Sequence, residues 1–230
     1  IDCRFANLGA PQRIFAIPSI HGNVQRLHTL HENIFSQFRP GDRLVYLGNY
    51  TGYGDHSKQT IDALLSFRRC LLSIPGTQPT DIHYLRGTQE EMWQKLIQLQ
   101  FAPNPAIVME WMLDKGLAQT MESYGICLYE ANRVVREGII RLSRWTEKVR
   151  STVYANAGHD VFSSQLKRAA FTDCSFKQDS GLCNPLLFVN AGIDFSKTLE
   201  EQGDSFWWGT PHFKSMPPTQ ATSSTSKTHK

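Results

Sequence analysis

The stretch Arg13-Ile-Phe-Ala-Ile-Pro-Ser-Ile-His21-Gly-Asn-Val24 begins with an apolar run that ends at Pro18. A polar turn follows, and an amphipathic segment begins after it. This order predicts a short strand, a loop and a helix. Apolar residues recur at helical spacing from Val24 to Phe38, and the Pro-Gly-Asp sequence at 40–42 predicts the end of that helix. A strand followed by a helix that packs on it is a building unit of α/β folds.

Three later stretches have the same form, a short apolar strand that ends in small and polar residues. They are Arg43-Leu-Val-Tyr-Leu-Gly-Asn49-Tyr-Thr-Gly-Tyr-Gly54, Asp81-Ile-His-Tyr-Leu-Arg-Gly-Thr88-Gln-Glu90 and Leu186-Leu-Phe-Val-Asn190-Ala-Gly192. Open α/β sheets bind their ligands at the carboxyl ends of the strands. The four polar loops are therefore the candidate functional site of this sequence.

The order of these four stretches and the residues they contain resemble the sequence motifs of the calcineurin-like metallophosphoesterases. That class includes Ser/Thr protein phosphatases and diadenosine tetraphosphatases. That family carries Gly-Asp-x-His-Gly, then Gly-Asp-x-x-Asp-Arg-Gly, then Gly-Asn-His-Glu, then a strand ending in His-Ala-Gly, and these loops supply ligands to two metal ions. The resemblance covers about residues 13–209. It implies an α/β fold, a β-sandwich flanked by helices, with a helix-rich insertion at about 102–158 between the third and fourth motif strands.

The resemblance places mostly neutral residues where the family has metal ligands. The first metal-binding Asp of the family falls on Ser19 and the bridging Asp falls on Asn49, while the His of the first loop is kept as His21. In the third loop the Asn ligand falls on Thr88, and the strand-end His of the fourth loop falls on Asn190. Two close dications need anionic oxygen ligands, and an Asn amide bridges them poorly.

The general acid of the family is replaced as well. The catalytic His of the third loop falls on Gln89, although Gly87 and Glu90 of the same loop remain. A Gln amide cannot give up a proton near neutral pH. The resemblance therefore implies a phosphoesterase fold that has lost its chemistry: a pseudoenzyme with no catalytic residue, no bound metal and no cofactor, acting as a structural or accessory subunit of a larger protein complex.

A second hypothesis is an active hydrolase of phosphoproteins or nucleoside polyphosphates with an altered metal site. His21 together with Asp55, His56 or His159 would then hold a single metal ion. These residues do not follow the family's spacing, and the sequence identifies no general acid for such a site.

A third hypothesis keeps the loops as a metal-free sensor of phosphate or a nucleotide. Backbone N–H groups at Gly22, Gly54 and Gly87 lie near predicted helix starts. Helix starts favour anions because their N–H groups point outwards and the helix dipole is positive there.

The chain divides into three parts. Residues 1–12 are predicted to be an irregular lead, and residues 13–216 a degenerate metallophosphoesterase-like domain. Residues 217–230 form a Ser/Thr/Lys-rich tail that lacks a core-forming pattern, and we expect it to be disordered or bound to a partner.

Basic side chains follow one another along the predicted insertion. A solvated helix face explains such a series, and so does a docking surface for an acidic protein partner. The residues of this possible partner surface are Arg133, Arg136, Arg141, Arg144 and Lys148.

Composition sets the remaining limits. The 230 residues suit one domain, and a net charge of +3 does not indicate a nucleic-acid partner. No apolar run approaches the length of a membrane span. Five scattered cysteines, with no pair at metal-ligand spacing, predict an intracellular reducing compartment. The first residue, Ile1, is compatible with removal of a presequence, so a mitochondrial location is one expectation and a cytoplasmic location the other.

Deletion of residues 219–230 is expected to leave the fold intact and to weaken association with partner proteins. The reason is that the tail has no apolar pattern with which to join the core. Co-purification of the full chain and the shortened chain from the source cell measures this effect. Equal recovery of partners with both chains would exclude a role for the tail.

Overall fold

The computed structural model describes residues 3–173 and 185–209, and every element below lies in these two ranges. The tail at 217–230 and the cysteines Cys174 and Cys183 lie outside them. The strands are β1 (Phe5–Asn7), β2 (Ile14–Ile17), β3 (Arg43–Tyr46), β4 (Ile82–Tyr84), β5 (Ala169–Phe171) and β6 (Leu187–Phe188). The helices are α1 (Val24–Gln37), α2 (Ser57–Leu72), α3 (Thr88–Leu96), α4 (Pro105–Met112), α5 (Ala118–Ser123), α6 (Leu128–Val134), α7 (Ile139–Tyr154), α8 (His159–Ser164) and α9 (Ser205–Trp208).

The described strands form two sheets of three strands each. In the first sheet the order is β2-β3-β4 and both pairs are parallel. In the second sheet the order is β1-β5-β6, with β1 parallel and β6 antiparallel to β5. The predicted mixed α/β class is confirmed.

Strand β3 is the centre of the first sheet, and its side chains alternate between two apolar clusters. Leu44 and Tyr46 pack with α1 and α2, whereas Val45 packs with residues of β1 and β5. Leu44, Val45 and Tyr46 are all fully buried. Because both faces of β3 are covered, its sequence is a continuous apolar run rather than an alternating one.

Helices α1 and α2 cover one face of the first sheet. Leu27 and Ile34 of α1 and Leu64 and Leu71 of α2 are buried there, at the helical spacing that the sequence predicts. The second helix spans Ser57–Leu72. These two helices hold the carboxyl ends of β2 and β3, and so the first two polar loops, in place.

Helices α3 to α7 follow one another between β4 and β5 and enclose a core of their own. Met109 and Met112 of α4 and Leu142 and Trp145 of α7 are buried in it. Between α4 and α5 the chain turns sharply at Gly116, whose φ of 96° lies in the left-handed region that glycine tolerates. This turn directs residues 115–116 back towards the polar loops.

Three interpretations of the sequence are wrong in detail. The stretch 1–12, predicted as an irregular lead, contains β1, which pairs with β5. The fourth motif strand is only the two residues of β6, is exposed at Leu187 and runs antiparallel to β5. The apolar spacing of residues 24–38 also indicates that His31 flanks the buried face of α1 on the helix surface, but His31 is buried because its ring stacks on Phe67 and its Nε2 lies 2.8 Å from the Tyr46 hydroxyl.

A buried histidine joins the helical insertion to the first helical layer. The Tyr124 hydroxyl, just after α5, lies 2.7 Å from His159 Nδ1, and His159 Nε2 lies 3.1 Å from Asp62 Oδ1 on α2. With the proton on Nε2, Tyr124 donates to His159 and His159 donates to Asp62. His159 is 1% exposed, whereas the Asp62 side chain is 55% exposed, so the histidine ring is shielded from water and the carboxylate is not.

Replacement His159→Ala is expected to destabilise the protein by about 2–4 kcal/mol, because it leaves the Tyr124 hydroxyl without a partner and opens a cavity. Urea unfolding measures the change. The matched control is His28→Ala, an exposed histidine on α1, for which we expect a change within about 0.5 kcal/mol. Equal stability of the two variants would refute the joining role.

Candidate functional site

The four polar loops meet at one end of the first sheet, and Asn49 joins three of the strands that lead into them. Its Nδ2 donates to Ser19 Oγ at 3.1 Å, and its Oδ1 accepts from the N–H of Gln89 at 3.1 Å. The predicted positions Ser19, Asn49 and Gln89 are therefore brought together. The amide of Asn49 uses its donor on one neighbour and its acceptor on the other.

Asn190 makes the equivalent connection on the other side. Its Oδ1 accepts from the Thr88 N–H at 3.1 Å, and its Nδ2 donates to the Leu47 carbonyl at 2.7 Å. The Thr88 hydroxyl donates to the Trp207 carbonyl at 2.6 Å, which anchors α9. Both predicted positions, Thr88 and Asn190, are thus occupied with bonds to the protein itself.

The carboxylate of Glu90 lies beneath the loops and holds two of them. It accepts from the N–H groups of Asn49 at 2.8 Å, Tyr50 at 2.9 Å and Gly87 at 2.9 Å. Burial raises the pKa of Glu90, and these backbone hydrogen bonds act in the opposite direction. The sequence shows that Glu90 is kept, but its function as a buried acceptor depends on contacts that no spacing reveals.

Glycines let the backbones of neighbouring loops touch. A Cβ atom on Gly22 would lie 2.6 Å from the carbonyl oxygen of Gly54, and one on Gly48 would lie 2.5 Å from the nitrogen of Gly87. Neither distance is possible for a real side chain. The first loop is therefore pressed against the second, and the second against the third, by glycine-to-glycine contact.

Three residues of the first two loops adopt left-handed backbone angles without being glycine. The φ angles are 51° at His21, 56° at Asn49 and 58° at Tyr53. Asn tolerates this region, whereas His and Tyr are disfavoured in it. Backbone conformations of this kind persist only where the surrounding contacts enforce them, and they are frequent at binding and catalytic sites.

His21 is the one ligand-type side chain among the five ligand positions, and it faces a carbonyl. Its Nδ1 lies 3.3 Å from the Thr51 carbonyl oxygen, and its ring meets the edge of Tyr53 with 5.2 Å between the centroids. Burial lowers the pKa of His21, and the Thr51 carbonyl opposes that shift. The ring is therefore neutral near pH 7.

The donor set of the loops does not fit a pair of metal ions. Ser19 and Thr88 offer hydroxyls and Asn49 and Asn190 offer amides, all neutral and all engaged with the protein. Two dications at close range would have no anionic ligand from these positions. Within residues 3–173 and 185–209 no three His, Cys, Asp or Glu side chains are grouped so as to hold a metal.

The residues of the altered single-metal hypothesis are not gathered around His21. Asp55 is exposed, and His56 immediately precedes α2. His159 binds Tyr124 and Asp62 instead. In the described part of the chain, His21 therefore does not belong to a group of three His, Cys, Asp or Glu side chains that could hold a metal.

The three N–H groups of the anion-sensor hypothesis already have acceptors. Gly22 donates to the Tyr50 carbonyl at 2.8 Å, and Gly54 donates to the His21 carbonyl at 2.9 Å. The N–H of Gly87 donates to Glu90. An anion at these groups would have to displace the internal acceptors, so the geometry offers no ready cradle.

The turn between α4 and α5 covers Gln89, the position where the resemblance to metallophosphoesterases leads one to expect a general acid. Gln89 Nε2 donates to the Lys115 carbonyl at 2.8 Å, while Gln89 Oε1 is buried without a hydrogen-bond partner. The N–H of Tyr53 donates to the Gly116 carbonyl at 3.3 Å, and a Cβ on Gly116 would lie 3.1 Å from the Tyr53 ring. The side chain at position 89 therefore connects two layers of the fold.

The basic residues of the possible partner surface are all exposed, on and around α6 and α7. Three of them are paired with acids: Arg133 and Arg141 with Glu137 at 3.3 and 3.6 Å, and Lys148 with Glu130 at 2.8 Å. Exposed pairs of this kind contribute little to stability. Arg136 and Arg144, also predicted here, form no ion pair within the described residues.

Two clefts lie on the surface near the site. A cleft of about 640 Å³ separates α1 from α2, and its lining includes His28, Phe35 and Asp62. A smaller cleft of about 310 Å³ begins at Ser19 and runs beside β2 and α1.

In the described residues no helix is both long and apolar enough to cross a bilayer.

No known protein-family model matches this sequence, and a search of curated proteins gave no match.

Replacement Glu90→Gln is expected to destabilise the protein at pH 7 by about 1–3 kcal/mol, because one amide NH₂ would face backbone N–H donors. Urea unfolding measures the change. The control is Glu32→Gln on the exposed face of α1, for which we expect almost no change. Equal stability of wild type and Glu90→Gln would refute the role of this carboxylate.

The same residue predicts a pH dependence. Because the folded-state pKa of Glu90 is raised above the ordinary value of 4.5, folding favours its protonated form. The stability linked to that proton is present below pH 4.5 and is lost as the pH rises through the folded-state pKa. Unfolding at several pH values from 4.5 upwards should show this loss in wild type and not in Glu90→Gln.

Proposed function

We propose that this protein is a catalytically inactive, metallophosphoesterase-like pseudoenzyme that serves as a structural or accessory subunit of a larger protein complex. The observation that carries the proposal is the neutral network at the loop tips. Asn49 bonds Ser19, and Asn190 bonds Thr88, where a two-metal hydrolase needs charged oxygen ligands. Amides and hydroxyls that satisfy one another can hold loops together without metal.

The layering of the fold supports the proposed family. Ala6 and Leu8, in and next to β1, share a buried cluster with Val45 of β3 and Ala170 of β5, so the two sheets contact each other through apolar side chains. Helices α1 and α2 cover the outer face of the first sheet. A metallophosphoesterase-like β-sandwich flanked by helices is consistent with this arrangement.

The loss of chemistry follows from the same residues. A neutral His21 is the only good metal ligand among the five positions, and one imidazole does not hold two dications. Gln89 cannot act as a general acid, and its amide is used to bind the Lys115 carbonyl. The altered single-metal hydrolase and the phosphate or nucleotide sensor lack comparable support, since neither has a grouped set of free ligands.

The subunit role draws on what the fold retains. The turn glycines and the buried Glu90 keep four loops in a defined arrangement without a catalytic purpose. The basic residues on α6 and α7 and the tail at 217–230 are the proposed contacts with protein partners. A mitochondrial complex is the proposed location, with the cytoplasm as the alternative.

Wild-type protein is expected to bind no Mn²⁺, Fe or Zn and to show no turnover of p-nitrophenyl phosphate, because the ligand positions are neutral. Metal analysis of the purified protein and a phosphatase assay with added Mn²⁺ measure this. One equivalent of bound metal, together with activity that His21→Ala abolishes, would overturn the proposal.

Restoring charge supplies the complementary test. Asn49 Nδ2 and Ser19 Oγ are now 3.1 Å apart, so the double replacement Ser19→Asp and Asn49→Asp would bring two carboxylates close together. Because like charges repel, we expect a lower Tm, which bound Mn²⁺ partly restores. The control, Asn33→Asp with Ser36→Asp, adds the same charges to the exposed face of α1 and should not respond to Mn²⁺. A wild-type Tm that rises with Mn²⁺ as much as that of the double variant would contradict a neutral, metal-free site.

A further inference from the structure

Strand β2 has one open edge. Within residues 3–173 and 185–209 it pairs only with β3, and the carbonyl of Ile17 accepts from the Leu47 N–H at 2.8 Å. Backbone groups of successive residues in a strand point to opposite edges, so Phe15 and Ile17 face β3 while Ile14 and Ala16 face away from it. The N–H and carbonyl groups of Ile14 and Ala16 make no hydrogen bond with any residue of 3–173 or 185–209.

The open edge belongs to a short strand with no charged side chain among residues 14–17. Strands at the edges of sheets normally carry charges or a covering segment that prevents pairing with another chain. Residues 14–17 are Ile-Phe-Ala-Ile, and Ala16 in the middle of the strand is exposed. Pro18 follows directly and ends the pairing edge, because it has no N–H.

A cleft of about 310 Å³ with a partly apolar lining lies beside the carboxyl end of β2. Its apolar lining comes from the end of β2 and from α1, including Ile17, Ile20, Leu27 and Leu30. Arg26 is the only charged residue of the lining, and within the described residues it forms no ion pair. A side chain from a neighbouring strand could enter this cleft, and a carboxylate beside it would meet Arg26.

We propose that the open edge of β2 binds an extended segment of a partner protein as an added strand, with an apolar side chain in the cleft and an acidic residue beside Arg26. Main-chain hydrogen bonds to Ile14 and Ala16 supply affinity, and the cleft and Arg26 supply selectivity. This contact specifies one partner surface of the subunit proposed above and rests on that subunit role, but it is independent of the loss of catalysis.

Charge distinguishes this occupant from two others. A second copy of β2 would bring residues 13–20, which include Arg13 and contain no Asp or Glu, to the side of Arg26. Residues 210–230 of the same chain also contain no Asp or Glu, and they include three prolines. Neither segment contains an Asp or Glu side chain that could pair with Arg26, whereas an acidic partner segment does.

The test uses the full chain and three synthetic peptides. The probe is Thr-Val-Thr-Val-Thr-Asp-Thr, in which Val and Asp lie on the same face of the strand, and the controls are the same peptide with Lys for Asp and with Pro for the central Val. Fluorescence anisotropy measures binding, and hydrogen exchange measures protection of the Ile14 and Ala16 amides. We expect the Asp peptide to bind, to protect both amides, and to bind more tightly than the Lys and Pro peptides.

The charge contact is tested by Arg26→Glu, a replacement on the exposed surface. It is expected to weaken binding of the Asp peptide roughly twofold to fivefold and to strengthen binding of the Lys peptide. The matched control is Arg69→Glu, an exposed arginine on α2 outside this cleft, which should change neither. Ala16→Pro removes an outward N–H and should abolish binding.

Three outcomes would overturn the proposal. One is absence of peptide binding at about millimolar concentration, the range of the weakest measurable complexes. Another is a dimer in native mass measurement whose Ile14 and Ala16 amides are protected without peptide, which would assign the edge to a second copy. The last is protection in the full chain that disappears when residues 210–230 are removed, which would assign it to the chain itself. Metal content and phosphatase turnover test the proposed loss of catalysis, so failure of that proposal can be distinguished from failure of this one.

Discussion

The buried carboxylate of Glu90 is the interaction on which the candidate site depends. By accepting N–H groups from Asn49, Tyr50 and Gly87, it fixes the second loop against the third. Two close glycine contacts then bring the first loop against the second and the second against the third. With the backbones held in this way, the side chains at the loop tips face one another whatever their chemistry. That is why neutral residues can occupy these positions and still form an ordered network.

Much of the site could be predicted from the sequence because its elements are local. A strand that ends in glycine and polar residues, followed by an apolar stripe at helical spacing, predicts β2, α1, β3 and α2 and the end of the sheet at which the loops meet. The predicted positions Ser19, Asn49, Gln89, Thr88 and Asn190 do lie in that place. Their types also predict that the set is neutral, since residue type alone decides charge at Asn and Thr.

The remainder could not be predicted because it depends on contacts between distant residues. Strands β1 and β5 have three residues each, too few for an alternating pattern to emerge, and they are defined by pairing with each other across most of the chain. His31 is buried because of Tyr46 and Phe67, neither of which is near it in sequence. Likewise the sequence predicts free N–H groups at Gly22 and Gly54, but both groups donate to carbonyls within the loops.

The helical insertion is attached to the polar loops and to α2 at several places, among them the Gly52 N–H, which donates to Thr120, and the Lys58 N–H, which donates to Ser123. Gln89 bonds the Lys115 carbonyl, Tyr53 bonds and packs on Gly116, and His159 links Tyr124 to Asp62. Helices held at one point could rotate about that point, whereas helices held at several points cannot. Any mechanical load that a neighbour applies to the outer helices is therefore transmitted to the strands. In a complex, the helical insertion and the sheets would behave as one rigid body. That body would fix the distance and the angle between the components bound on either side of it.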